Sequence, residues 1–137
     1  MPAYDDSRFT PPAPVARVSV RNLDNGESVA DVLMLIDSGA DASLLPRSAV
    51  ATLGIVGTGE RYQLVAFDGT ITESEAVRAD LVFLNRRFRG RFLLIDAETG
   101  VAGRDVLNHI RMLLDGPALS WEEWAPPAGD AFQGASR

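Results

Sequence analysis

Two short stretches of this chain carry residue types that could do chemistry together. The first is Leu33-Met34-Leu35-Ile36-Asp37-Ser38-Gly39-Ala40-Asp41, and the second, about sixty residues on, is Val101-Ala102-Gly103-Arg104-Asp105-Val106-Leu107-Asn108. In the first, an apolar run ends on a carboxylate and a glycine turn, which suits an acid-base group held at a fixed point. Two carboxylates brought close cannot both ionise, so they share one proton. One can then take a proton from water while the other donates to an oxygen that gains charge. Such a pair titrates as a unit. A single Asp37 cannot do this alone, so a second Asp37 would have to come from an identical chain across a two-fold axis. Gly39 permits the tight turn that aims backbone N–H groups at the carboxylate, and the Ser38 hydroxyl could bond across the symmetric interface.

The elements that would position these groups are mostly strands. Val15–Asn22 alternates in polarity, Asp24-Asn25-Gly26 is a hairpin turn, and Ser28–Ile36 becomes increasingly apolar, as a buried central strand does. Leu45-Pro46-Arg47 reads as the opening of a short helix that stops at Gly54. Arg61–Phe67 and Thr70–Leu84 flank a second turn at Asp68-Gly69, and Arg86–Ile95 is a further strand. A short helix is expected after Gly103, over about Arg104–Ile110. Asp115-Gly116-Pro117 then joins Arg111–Leu114 to Leu119–Trp124. The fold class is therefore all-β: a small closed barrel with one or two short helices.

The chain of 137 residues is one domain by size. Residues 1–14 are Pro-rich and read as a flexible arm, 15–124 as the folded domain, and 125–137 as a flexible tail. There are no cysteines, so thiol chemistry and disulfide scaffolding are excluded. All 13 basic residues are Arg, which with the Ala-rich composition suits a GC-rich bacterial genome. The net charge of −6 argues against a general nucleic-acid binder. No apolar run approaches the roughly 20 residues needed to span a membrane. With no signal pattern either, a cytoplasmic location is expected.

Asp37-Ser38-Gly39-Ala40-Asp41 is similar to the Asp-Thr/Ser-Gly-Ala-Asp signature of the retroviral-type aspartic proteases, the retropepsins. Gly103-Arg104-Asp105-Val106-Leu107 resembles the Gly-Arg-Asn/Asp-Leu-Leu motif that precedes their C-terminal helix, and the Asp68-Gly69 hairpin lies where the family has its flap. The resemblance implies an acid-protease barrel and a homodimeric aspartic endopeptidase that hydrolyses peptides or proteins with no cofactor and no metal. It makes Asp37 the catalytic carboxylate, supported by Ser38 and Gly39. Substrate contacts fall to Gly39, Ala40 and Asp41, and to the flap tip, Ala66, Phe67, Asp68 and Gly69. Asp41 and Arg104 would form a structural ion pair, since Arg can neutralise a carboxylate near the dyad with two parallel bonds. The flap is poorer in glycine than in the retroviral enzymes. Their termini interleave in the dimer sheet; here the Arg111–Trp124 hairpin would take that place.

Bland alternatives exist for these residues. A catalytically silent dimer of the same fold would bind peptides without cutting them. Asp37, Asp41 and Asp105 lack calcium-loop spacing, and Arg104 would oppose a cation. His109, the single histidine, reads as a surface or helix-capping residue. Arg86, Arg87, Arg89 and Arg91, interleaved with Phe88 and Phe92, could be an RNA patch, but read better as a solvated strand face backed by a core face. Trp121 and Trp124 are three apart, so on a strand one would pack inward and the other point away.

Overall fold

In a computed structural model, residues 2–66 and 68–126 are described. Ten strands and two short helices run in the order β1 (Tyr4–Asp5), β2 (Ala13–Arg21), β3 (Ser28–Ile36), β4 (Leu44–Pro46), α1 (Arg47–Thr52), β5 (Gly57–Val65), β6 (Ile71–Phe83), β7 (Arg86–Ile95), β8 (Gly100–Ala102), α2 (Arg104–Leu107), β9 (Met112–Asp115) and β10 (Ser120–Glu123). The first eight form one sheet in the order β1-β2-β3-β8-β4-β7-β6-β5, and β2 pairs again with β6. The pairings from β2 through β3, β8, β4, β7 and β6 therefore return to β2, which gives the expected all-β barrel. Among the described residues no helix is long and apolar enough to cross a membrane.

The apolar side chains explain why the ring closes. Val18, Val20, Val32, Met34, Val77, Leu81, Phe92 and Leu94 are all buried in one cluster, each from a strand with one face turned inward. β3 supplies three successive buried residues, Val32–Met34, as its position within the sheet requires. β8 fits between β3 and β4 because it begins with Gly100, where a Cβ would collide with the Leu44 carbonyl oxygen and the Met34 sulfur.

Three local expectations change. Leu44–Pro46 is extended and pairs in parallel with β7, so α1 starts at Arg47 with Pro46 (ψ 129°) as the residue before it. α2 is a single turn that ends at Leu107. The segment expected as a loose arm is in part paired. β1 lies antiparallel to the start of β2, Ala3 bridges Ser120, the Tyr4 N–H donates to the Leu119 carbonyl, and the Trp121 N–H donates to that of Pro2. This segment has no apolar periodicity for a sequence reading to find, yet backbone groups need none to pair. Of the expected tail, residues 127–137 lie outside the described ones.

β9 and β10 form a separate antiparallel hairpin. It is held to the barrel by Trp121, which is 1% exposed. Its indole N–H donates to the Val15 carbonyl at 2.7 Å, and its ring packs on Phe83 with centroids 5.9 Å apart. Trp124 is exposed, so the two tryptophans divide as their spacing suggests.

Candidate active site

Asp37 follows the last residue of β3, and its N–H donates to the Ala102 carbonyl at the end of β8, at 3.0 Å. The parallel β3–β8 ladder is thus extended to the carboxylate's own backbone. The side chain is half-buried, and Ser38 and Gly39 beyond it are exposed. The Gly39 N–H donates to Asp37 Oδ1 at 2.9 Å, and the Ala40 N–H returns to the Asp37 carbonyl at 3.1 Å. Such a turn fixes the carboxylate's orientation through a main-chain donor.

The second motif closes on the first. The Arg104 N–H donates to the Ala40 carbonyl at 2.8 Å, and its Nη1 donates to the Ser38 carbonyl at 2.8 Å. Gly103 is obligatory for this approach: a Cβ there would sit 2.7 Å from the Ala42 carbonyl oxygen and 2.9 Å from that of Ala40. The expected Asp41–Arg104 ion pair is not formed. Both residues are exposed, and the guanidinium reaches a carbonyl of the turn instead of the carboxylate.

The contact that ties the two motifs from behind is one that sequence reasoning missed. Ser43 is 0% exposed. Its hydroxyl donates to Asp105 Oδ1 at 2.6 Å and accepts from the Gly103 N–H at 2.9 Å, and its own N–H donates to Asp105 Oδ2 at 3.0 Å. Asp105, at the start of α2, thus uses both oxygens to clamp the strand that leaves the Asp37 turn. A serine six residues after the aspartate carries no sequence signal of this role.

β5 and β6 form a long hairpin whose outer part is exposed, with Val65 and Ile71 paired at its end. Its turn is closed by Ala66 N–H to the Thr70 carbonyl and Gly69 N–H to the Ala66 carbonyl, both at 2.9 Å. Gly69 has φ +87°, which glycine adopts without strain. Hydrogen bonds from Thr70 hold the Asp68 carboxyl below its ordinary value. Ala66, Asp68 and Gly69 are therefore together at an exposed tip; Phe67 lies outside the described residues.

The arginine strand is spoken for. Arg89 meets Asp80 through two bonds of 2.9 and 3.2 Å, Arg87 stands 3.7 Å from the same carboxylate, Arg91 reaches Glu60 and Arg86 reaches Glu123. That face is a set of ion pairs rather than a free cationic patch. His109 is exposed, with its ring beside Phe88.

No protein-family model matches the chain, and no curated protein matches it in sequence. Among solved structures it is similar to the EIAV protease complexed with the inhibitor HBY-793, at 24% identity and a TM-score of 0.53, over 71% of this chain and 86% of that one. The chain thus has an all-β, retropepsin-like fold. The likeness is one of fold, and a viral neighbour gives no support to a bacterial origin.

Proposed function

We propose that this chain is an aspartic endopeptidase that works as a homodimer, with one Asp37 from each copy. The observation that carries the reading is the Asp37 turn itself. A carboxylate is pinned by the Gly39 N–H at the end of a buried strand and locked from the other side by Arg104, on a fold shared with a retroviral protease. In one copy this carboxylate is half-buried beside exposed Ser38 and Gly39, as a half-site would be.

In the paired site, the ionised carboxylate takes a proton from a water while the protonated one donates to the peptide carbonyl oxygen. Water oxygen bonds to the carbonyl carbon, and the tetrahedral intermediate collapses as the leaving nitrogen gains a proton. No covalent enzyme intermediate forms. Substrate would lie extended between the Gly39–Asp41 segment and the tip at 66–69, held by main-chain bonds, with the hairpin closing to exclude water. A dyad that must hold one proton works best in mildly acidic solution, and a rate still rising at pH 9 would contradict it.

The test is mass spectrometry of an unfolded protein mixture incubated near pH 5 with wild type or with Asp37→Asn. Cuts made by wild type and absent from the variant are expected. Cuts from neither would favour the silent, peptide-binding dimer.

A further inference from the structure

We infer that the two-fold contact is made by β9 pairing edge to edge with β9 of a second copy, in one register centred on Leu113. This rests on the dimeric reading above, and specifies the strand that completes the half-site.

β9 has the composition of an interior strand but the position of an edge strand. β10 covers one side of it, and the Pro2–Tyr4 segment covers β10 in turn. Among the described residues nothing pairs with the other side of β9. Leu114 stands opposite Trp121, which is buried, yet is itself 51% exposed. Leu113, on the other face, is 46% exposed. A strand that carries leucines on both faces is usually sandwiched between others. Exposed edges are normally blunted by Lys, Pro or inward charges, and Met112-Leu113-Leu114 has none of these.

The backbone pattern selects the register. The Trp124 N–H donates to the Arg111 carbonyl, so Arg111, Leu113 and Asp115 turn their polar groups toward β10. By the antiparallel alternation, Met112 and Leu114 turn theirs outward. A symmetric antiparallel partner can satisfy them by setting Met112 of each copy against Leu114 of the other. Leu113 then meets its own copy on the axis, and Arg111 faces Asp115 across the seam. Arg111 takes part in no ion pair among the described residues, so the edge is self-complementary in charge. This favours a second copy over the chain's own tail or an unrelated strand. α2 and β8 connect this edge to the Asp37 backbone.

The chain has no cysteine, so the register can be read directly. Two residues facing in a non-hydrogen-bonded antiparallel pair have Cα atoms about 4.5 Å apart, within disulfide reach. Leu113→Cys should therefore oxidise to a covalent dimer on a non-reducing gel, under conditions that leave the control Val56→Cys, at a more exposed position, mostly monomeric. Leu114→Pro removes an outward N–H without touching the β10 ladder. In sedimentation it should weaken dimerisation about tenfold or more, while circular dichroism stays native.

A linked Leu113→Cys dimer that cleaves protein supports both readings, and one that links but never cleaves supports the seam and removes the protease. A wild type that dimerises and cleaves, with Leu113→Cys unlinked and Leu114→Pro still dimeric, overturns the seam alone. A wild type monomeric at high micromolar concentration overturns it too.

Discussion

Asp37 owes its position to backbone bonds more than to side chains, which is why its turn was legible in the sequence. An apolar strand, an acid and a glycine encode that geometry locally. The grip of Gly103-Arg104 on the turn was half legible. The spacing announced that the motifs meet, but Arg104 spends its guanidinium on the Ser38 carbonyl rather than on Asp41. Sequence spacing gives proximity, not the direction of a long side chain. Ser43 was not legible, because a serine buried against a carboxylate 62 residues away has no local signature. Ser43→Ala should destabilise the fold by about 1–3 kcal/mol, since it strips the Gly103 N–H of its acceptor and Asp105 of a donor. Urea unfolding measures this, and a loss below about 0.5 kcal/mol would mean that water replaces the hydroxyl at no cost.

At the scale of elements, β6 and β7 show how a charged pair is carried on two neighbouring strands of the barrel. Asp80, on β6, is 1% exposed, and its cross-strand neighbour Arg89 holds the carboxyl below its ordinary value through hydrogen bonds, outweighing the burial that would raise it. A carboxyl lowered in the folded state stabilises at pH above its unfolded value of about 3.9, and that stability is lost as pH falls below it. Arg89→Met leaves Asp80 buried with only the more distant Arg87 and Arg21. The expected cost is about 3 kcal/mol at pH 7, shrinking as the solution is acidified to pH 3. Thermal melts across that range measure it, and an equal loss at both ends would contradict the ion-pair account. The strand itself was legible from alternating Arg and Phe, whereas the partner of each arginine depended on the register with β6.

The whole molecule is a barrel, and the proposed function makes its Asp37 turn one half of a symmetric site. Strand content and the flap-like hairpin followed from turn residues such as Asp24-Asn25-Gly26 and Asp68-Gly69. A closed barrel was expected too, but not that β2 and β6 are the strands that close it, because a pairing between distant strands leaves no periodic mark in either. If activity needs two copies, the initial rate should rise with nearly the square of enzyme concentration when dilute, and linearly once dimers dominate. A dilution series with a fixed peptide substrate measures this, and a linear dependence throughout would point to a site complete in one chain.

Pro2 and Tyr4 bond to the hairpin of their own chain. These described residues give the N-terminal segment its partner at home, so the proposed dimer requires no exchange of that segment. Protomers joined only along a seam can separate without unthreading. Mixed with an excess of Asp37→Asn chains, the wild type should trade partners within the lifetime of the seam and be silenced by its own inactive twin, a poisoning that interlocked subunits would resist.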